Sequence, residues 1–431
     1  MNKQLQKQSP RLARLMSAGI GALAALALTA CNPGALGNTT SNNVSLIVSP
    51  TTNELYVFNL LTHRVIDRMQ TGARPDDIAV SNDSRRVLVT NANDGSLSVI
   101  ERLTGTDFIG RGRVNVQGTT PQGAVFNSSG DRAYVTVGDT SSIAILDTRR
   151  PGELPSLIRS VRIPFNEQSG SRPNPTRIAI SPDNGRLFVI DRANSALLAF
   201  NQTQADNFAL AEFFRPNTAS PVEFRDVVVD RNGRVYVLDS ANDQLVVFNG
   251  ANIQAPVGQV SLRDGQFPVI SPENIALGKQ LNRLFITGSA ANIVSVINNP
   301  AQIQGNVSIQ QVGQNVPING DPRRPATSPT GIDVTSNDQQ IYVSNGGGGF
   351  NISLLEVAGN QVIPLRNFGT AVSAANAPPL GRMKIVFFST QAGLIPGVRS
   401  ENSEAADVSD LDAPTPPIDS PEQALRSLRF F

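Results

Sequence analysis

Charged and amide side chains recur in this 431-residue chain one or two positions after a proline or phenylalanine, just before an apolar run. These candidate residues are Asp76, Asp77, Arg177, Arg225, Asp226, Glu273 and Asn274. A carboxylate beside an arginine can act as a general base next to a cation that stabilises developing negative charge. The same groups can instead bind a small polar ligand, or pair with one another and with water.

The composition excludes several other chemistries. The chain has one histidine, His63, and one cysteine, Cys31, so zinc or copper sites built on these residue types are excluded. Four glycines at 346–349 lack the Lys-Ser/Thr that a phosphate-binding loop requires. We therefore predict that the protein has no metal site, and we assign no catalytic residue. Calcium, bound by Asn- and Asp-rich turns, is the one cofactor left as an alternative. The net charge of +1 gives no indication of nucleic-acid binding.

A repeated unit positions the candidate residues. Residues 75–101 read as an apolar run, a polar turn, a β-branched run, an Asn/Asp/Gly turn and an alternating run, which is typical of antiparallel strands. The unit recurs at intervals of roughly 40–60 residues, which is typical of the blades of a β-propeller. The ends of its middle strands are Val48, Val89, Val135, Val189, Val237, Ile286 and Val343.

The pattern predicts an all-β, seven-bladed propeller of four-stranded antiparallel blades over residues 44–390. The first blade lacks its innermost strand, and we expect the isolated apolar segment 383–388 to supply it and close the ring. The alignment places the candidate residues at the start of the inner strands, around the mouth of the central channel. It adds Gln122, Thr176 and Thr330 at equivalent positions, with Arg382 or Lys384 near the same level. His63 falls in a turn on the opposite face.

Two stretches carry a family resemblance. The segment VLVTNANDGSLSVIERLTG and the turn Ser181–Gly185 resemble the YVTN-type propeller repeats of bacterial and archaeal surface proteins. The resemblance extends from about Val44 to Phe388 and implies the fold, while leaving the function open. Seven-bladed lactonases are a more distant architectural resemblance. The absence of tryptophan argues against a WD40 propeller.

The N-terminal residues predict where the protein is located in the cell, and both ends of the chain lie outside the predicted propeller. Residues 1–30 combine a basic start with a short apolar run, which is typical of a signal peptide, and they end in a Leu-Thr-Ala-Cys sequence that resembles a bacterial lipobox. Cys31 would then be lipidated and would anchor the protein to a membrane of the cell envelope, the outer one if there are two. Residues 31–43 read as a flexible tether, and the acidic, proline-rich residues 391–431 read as a disordered tail.

The sequence therefore favours a lipid-anchored, monomeric propeller that binds a protein, a glycan or a small ligand on its loop face. Insertions at 162–174 and 315–327 would enlarge that face and carry Arg172, Arg323 and Arg324. The first alternative is a lactonase-like hydrolase that uses channel carboxylates and arginine, for which a shifted pKa of Glu273 or Asp77 would be a sign. The weaker alternative is a calcium-dependent adhesin.

Overall fold

A computed structural model of the protein describes residues 43–165, 171–217, 220–320, 322–347, 349–370 and 377–387. These residues form seven antiparallel sheets, and the inner strands of neighbouring sheets contact one another around a closed ring. The predicted all-β, seven-bladed propeller is confirmed. The predicted signal peptide, Cys31, nearly all of the predicted tether and the predicted acidic tail lie outside the described residues. Within those residues, no helix is long and apolar enough to cross a membrane.

Each blade runs outward from the central channel. From the channel to the rim, blades 1 and 2 contain β29 (Met383–Val386), β1 (Val44–Ser49), β2 (Glu54–Asn59) and β3 (Arg64–Gln70), then β4 (Pro75–Val80), β5 (Arg86–Asn91), β6 (Ser96–Thr104) and β7 (Asp107–Asn115). Blades 3 and 4 contain β8 (Pro121–Phe126), β9 (Arg132–Val137), β10 (Ser142–Asp147) and β11 (Ser156–Arg162), then β12 (Pro175–Ile180), β13 (Arg186–Asp191), β14 (Ala196–Gln204) and β15 (Asn207–Phe214).

The remaining blades follow the same order with one addition. Blade 5 contains β16 (Phe224–Val229), β17 (Arg234–Asp239), β18 (Gln244–Asn249), β19 (Asn252–Ser261) and the extra strand β23 (Gly305–Ser308). Blades 6 and 7 contain β20 (Pro272–Leu277), β21 (Arg283–Gly288), β22 (Ile293–Asn298) and β24 (Gly313–Pro317), then β25 (Thr327–Val334), β26 (Gln340–Gly347), β27 (Ile352–Ala358) and β28 (Gln361–Phe368). A 3-10 helix, Pro300–Gln302, and a short helix, Ile309–Val312, flank β23.

The second strand of each blade is the most deeply buried, because a neighbouring blade packs on each of its two faces. In β5 every residue is buried. Consecutive β-branched residues suit such a strand, since no face needs to be polar. The apolar clusters accordingly span adjacent blades: Val48 and Val57 of blade 1 pack with Ile78 and Val89 of blade 2.

Two expectations about element boundaries need correction. The closing strand is β29, Met383–Val386, which is shorter than the predicted 383–388. The predicted insertion 315–327 overlaps β24, the outer strand of blade 6, and β25, the inner strand of blade 7. The true excursion in blade 6 lies earlier, between β22 and β24. Asn299, with a left-handed φ of 48°, turns the chain out of the blade, and β23 then pairs in parallel with β19.

Arginines at the start of five second strands connect neighbouring blades. Arg86 donates to the carbonyl oxygens of Thr148 and Arg150, in the turn between the third and fourth strands of the next blade. The other four arginines and their acceptors are Arg132 with Asp206, Arg186 with Gly250, Arg234 with Ile303 and Arg283 with Gly359. The planar guanidinium, with several donors in fixed directions, suits such fixed acceptors. We call these contacts the arginine clamps.

The junction of blades 7 and 1 replaces the clamp with aromatic contacts. Gln340 occupies the arginine position, and Tyr342 donates to the carbonyl oxygen of Leu60 at 3.3 Å. Nε2 of His63 lies 3.2 Å from the same hydroxyl, and the imidazole stacks on Phe368 with ring centroids 4.4 Å apart. His63 is therefore half-buried between blades rather than free on the surface. Burial, aided by the positive charge of Arg366, lowers its pKa.

Strand β29 is expected to carry much of the stability of the ring. Ile385→Ala removes a side chain that is 5% exposed and packs between blades 1 and 7, and we expect a loss of about 2–5 kcal/mol in the free energy of unfolding. Ile363→Ala is the matched control, since Ile363 is 44% exposed, and should cost less than about 0.5 kcal/mol. Urea unfolding of both variants measures the difference. Equal losses would contradict the assigned role of β29.

His63 should make the fold sensitive to mild acid. Its pKa is lowered in the folded state, so the folded protein favours the neutral imidazole. The resulting stability is complete above the ordinary histidine value of 6.5 and is lost as pH falls through the lower folded value. A difference of one pKa unit between the folded and unfolded states corresponds to about 1.4 kcal/mol in the free energy of unfolding.

Urea unfolding at pH 7.5 and 5.5 should therefore show a loss of stability in the wild type that His63→Gln abolishes. No other histidine contributes, because the chain has only this one. The comparison also cancels any carboxyl group that both proteins share. An identical pH dependence in the two proteins would show that His63 does not titrate in this way.

Candidate functional site

The inner strands begin with an irregularity that turns side chains into the channel. In β4 the pairing with β5 shifts between Pro75 and Ile78, and comparable shifts occur near the start of the inner strands of blades 3 to 7. Such a β-bulge changes the direction in which the following side chains point. Proline tolerates this position, since the first residue of a strand can lack a ladder hydrogen bond. The two residues after the initial proline or phenylalanine, which we call the second and third positions of these six inner strands, consequently face the channel.

The second residues of six inner strands line one cavity, which we call the mouth chamber. It has a volume of about 190 Å³, and its second-position residues are Asp76, Gln122, Thr176, Arg225, Glu273 and Thr330. The structure thus brings together the six second-position residues that the alignment grouped, but Asp77, Asp226 and Asn274 do not line this cavity. Arg177, Arg192 and Arg382 also line the chamber. Of these, Arg192 comes from the loop after β13 and was not singled out from the sequence.

Ion pairs organise the mouth chamber. Arg177 donates to Asp76 at 2.6 Å, and Arg192 and Arg225 both contact Glu223, at 2.8 and 3.0 Å. Burial alone would raise the pKa of Asp76, but Arg177 outweighs it, so that the pKa is lowered and the carboxyl stays ionised. The same partnership raises the pKa of Arg177 despite its burial. These groups are held in fixed positions around the cavity.

Glu273 is the exception among the chamber's acids. Burial raises its pKa, and the nearby arginines Arg225 and Arg382 only partly oppose this effect. Its carboxylate lies 3.8 Å from Arg225, farther than Asp76 lies from Arg177. A carboxyl with a raised pKa, next to a guanidinium, is able to accept a proton at a higher pH than an ordinary glutamate.

The third residues of the inner strands form a layer one residue deeper, which we call the belt. In it, Arg382 lies 3.1 Å from Asp226 and 3.9 Å from Asp77, and Asn274 donates to Asp226 at 2.5 Å. Arg177 completes the layer. The structure therefore places Asp77, Asp226 and Asn274 beneath the mouth rather than at its surface. Lys384 lies lower still, on the far side of the belt.

The belt also satisfies backbone groups of the next blade. Asp77 accepts the N–H of Ala124, and Asp226 accepts that of Ile275. Asn274 uses its carbonyl oxygen in the same way for Ile332 at 3.0 Å. The channel-facing edge of each inner strand lacks a strand partner, so these side chains replace the missing ladder acceptors. Charge from Arg382 and Arg177 lowers the pKa of Asp226 against the effect of burial.

The belt separates the mouth chamber from a second cavity. Arg177 and Arg382 line both cavities, which lie on opposite sides of the layer formed by their guanidinium groups. The second cavity, the lower chamber, has a volume of about 610 Å³ and reaches turns on the opposite face. The mouth chamber and the lower chamber are therefore two distinct cavities along the channel, with the belt between them.

The loops after the second strands use their polar side chains for local hydrogen bonds. Asp94 accepts the N–H groups of Ala73 and Ser96, and Asp139 accepts that of Thr119. Such bonds are what tight turns require. Among the described residues there is no group of three His, Cys, Asp or Glu side chains that could hold a metal ion.

The insertion arginines lie at or near the surface. Arg172 and Arg323 are exposed, whereas Arg324 is half-buried with its guanidinium 5.4 Å from the centre of the Phe350 ring. The loops that carry them join the outer strand of one blade to the inner strand of the next. They therefore lie on the mouth side of the ring, as the sequence predicted.

No protein-family model matches the sequence. No curated protein matches it either. Among solved structures, a protein from Lactobacillus plantarum aligns with a TM-score of 0.63 at 13% identity, over 80% of this chain and 100% of the other. The periplasmic gluconolactonase of Pseudomonas aeruginosa aligns at 0.61 and 14%, over 80% and 99%. Hydrazine synthase of Kuenenia stuttgartiensis aligns at 0.58 and 18%, over 73% and 92%.

At these identities the similarity establishes the fold, and the neighbours themselves, a hydrazine synthase and a gluconolactonase among them, differ widely in chemistry. Membership of the YVTN-type family stays a prediction. The resemblance to lactonase propellers is confirmed at the level of architecture.

Proposed function

We propose that this propeller binds a small polar ligand in the mouth chamber. The observation that carries the proposal is the convergence of charged, amide and hydroxyl side chains on this one cavity. Each of the seven blades contributes at least one residue to the lining, so a ligand there would contact most of the ring at once. Concave sites with a few convergent polar groups are typical of ligand pockets in proteins.

The lining defines the class of ligand. Guanidinium, amide, hydroxyl and carboxyl groups surround the cavity. Pro50 and Phe224 are the only apolar side chains among the described residues that line it. The volume of 190 Å³ is below the roughly 300 Å³ at which pockets for drug-sized ligands begin. A hydroxylated molecule of sugar or hydroxy-acid size, with one carboxylate or carbonyl for the arginines, fits these properties.

The cellular setting is part of the proposal. The signal-like residues 1–30 and the lipobox-like sequence ending at Cys31 support an exported protein anchored by lipid in the cell envelope. The mouth-side loops, with Arg172 and Arg323 exposed, would then be available to a protein or glycan partner. In this arrangement a monomeric propeller acts as a binding module.

Binding should depend on Arg225. We expect gluconate, titrated calorimetrically into the wild type, to bind at least about tenfold more tightly than to Arg225→Gln, because a charge-assisted hydrogen bond contributes about 1.5–3 kcal/mol. Arg263→Gln is the matched control, since Arg263 pairs with Asp243 in a loop and lines no part of the chamber. The affinity for neutral glucose, measured in the same way, shows how much of the gluconate affinity depends on the negative charge. Equal gluconate affinity in all three proteins, or none in the wild type, would contradict the proposal.

A second candidate function is hydrolysis of a lactone in the same chamber. The raised pKa of Glu273 and its position 3.8 Å from Arg225 favour it. Glu273 would accept a proton from the attacking water as the new C–O bond forms at the lactone carbonyl. Arg225 would stabilise the resulting oxyanion. The ring C–O bond then breaks, the proton passes to the leaving alkoxide, and the product is a hydroxy acid. One structural neighbour is a periplasmic gluconolactonase, which is consistent with this candidate.

Lactone hydrolysis should require ionised Glu273. We expect Glu273→Gln to lower kcat by about 100-fold or more, the usual contribution of a general base. In the wild type, activity should fall as pH decreases through the pKa of Glu273, which lies above the ordinary value of 4.5. Exposed Glu153→Gln is the control.

A pH-stat assay with glucono-δ-lactone, corrected for spontaneous hydrolysis, gives the rates. Wild-type rates equal to the buffer rate would reject the enzyme while leaving the binding proposal intact. Normal rates in Glu273→Gln would exclude Glu273 as the base.

A further inference from the structure

The lower chamber differs from the mouth chamber in the nature of its walls. The residues at the fifth position, counted from the initial proline or phenylalanine, and Lys384, which has the equivalent place in β29, face it, and most of these are small and apolar. Those that line the cavity are Ala79, Val125, Ala179, Val228, Asp333 and Lys384. Ile180, Val229, Leu277 and Phe387 extend the apolar lining toward the opening. Charged groups occur at the belt, on the side formed by blades 6, 7 and 1, and in the turn after β16 of blade 5, where Asp230 and Arg231 line the cavity.

Both lysines of the described chain face this one cavity. Beyond Lys7 the sequence contains only Lys279 and Lys384, and both line the lower chamber. Arginine serves nearly every other cationic position. Lysine differs from arginine in being a compact charge on a flexible stem, without a fixed geometry of donors. The two lysines are thus suited to an acceptor that the protein does not itself hold in place.

The single acid among the fifth-position residues is already engaged. Asp333 is 2% exposed, and it accepts the N–H groups of Ile385 at 2.8 Å and of Val334 at 2.9 Å. Nζ of Lys279 lies 3.5 Å from the same carboxylate. Positive charge from Lys279 and Lys384 lowers the pKa of Asp333 despite its burial.

Lys384 therefore has capacity for another partner. Within the described part of the chain, its ammonium group forms no hydrogen bond and no ion pair within 4.0 Å, although it is half-buried in the cavity wall. Arg177 and Arg382, at the inner end of the chamber, add positive charge but are occupied by Asp76 and Asp226.

We propose that the lower chamber is a second ligand site, which binds an anionic amphiphile with its carboxylate at Lys384 and its apolar body along the small apolar walls. The volume of 610 Å³ falls within the roughly 300–1,000 Å³ of pockets for drug-sized ligands. Apolar walls with a half-buried ammonium group that has no acceptor among the described residues favour this class over a sugar, whose hydroxyls would lose hydrogen bonds against alanine and valine. The belt keeps this site separate from the mouth chamber.

Decanoate is the probe, and two measurements test its position. Calorimetric titration should give at least about tenfold weaker binding to Lys384→Gln than to the wild type. Ala179→Phe, which adds a ring to the wall, should also weaken binding by filling the cavity. In the second measurement, decanoate should protect Lys384 from an amine-acetylating reagent, which is read by mass spectrometry.

Controls separate the two chambers. Arg225→Gln removes a cation from the mouth chamber and should leave decanoate affinity unchanged. Decanol, which has the same chain without the charge, should bind more weakly than decanoate to the wild type but equally to Lys384→Gln. The proposal is overturned if the wild type does not bind decanoate, if Lys384→Gln binds it normally, or if Arg225→Gln weakens it to the same extent.

Discussion

The pairing of β29 with β1 is the interaction on which the rest of the ring depends. Blade 1 takes three strands from the start of the propeller and its innermost strand from the end, joined in antiparallel register from Val44 and Val386 to Ile47 and Met383. Without this pairing, β1 would present an unpaired edge to the channel, and a wholly buried strand would lose its cover. Each blade packs against two neighbours, so an opening at one junction removes support from both sides.

The belt follows from this closed geometry. Seven inner strands converge with one edge each toward the channel, and the N–H groups on those edges need acceptors. Asp77, Asp226 and Asn274 provide them, and arginines then compensate for the buried carboxylates. An unpaired charge in this position would be costly, since burial without a partner costs several kcal/mol. The groups that complete the strand edges, together with their arginine partners, form the layer between the two chambers.

The sequence predicted the repeat, the number of blades and the closing strand, because each blade copies the same apolar runs and turns. It also grouped the second-position residues correctly, since alignment of equivalent positions is sufficient for that. It did not separate Asp76 from Asp77 in depth, because the bulge that does so is a tertiary feature. The arginine clamps had a visible signal, an arginine at the start of five second strands, but the sequence does not show which acceptors these arginines reach. The excursion through β23 had no comparable signal, since it occurs in one blade only.

The cationic side chains of the clamps, the belt and the two chambers fall into two groups, which differ in whether the fold supplies their acceptors. Arginines such as Arg86 and Arg382 donate to carbonyls and carboxylates whose positions the fold determines. A rigid, planar donor group loses little entropy on forming those bonds. Among the described residues, Lys384 has no such acceptor, and its flexible ammonium lies in the cavity that has the apolar walls. In a protein that uses arginine almost everywhere for structural contacts, a lysine in that position is explained more simply by an acceptor that comes from outside the chain.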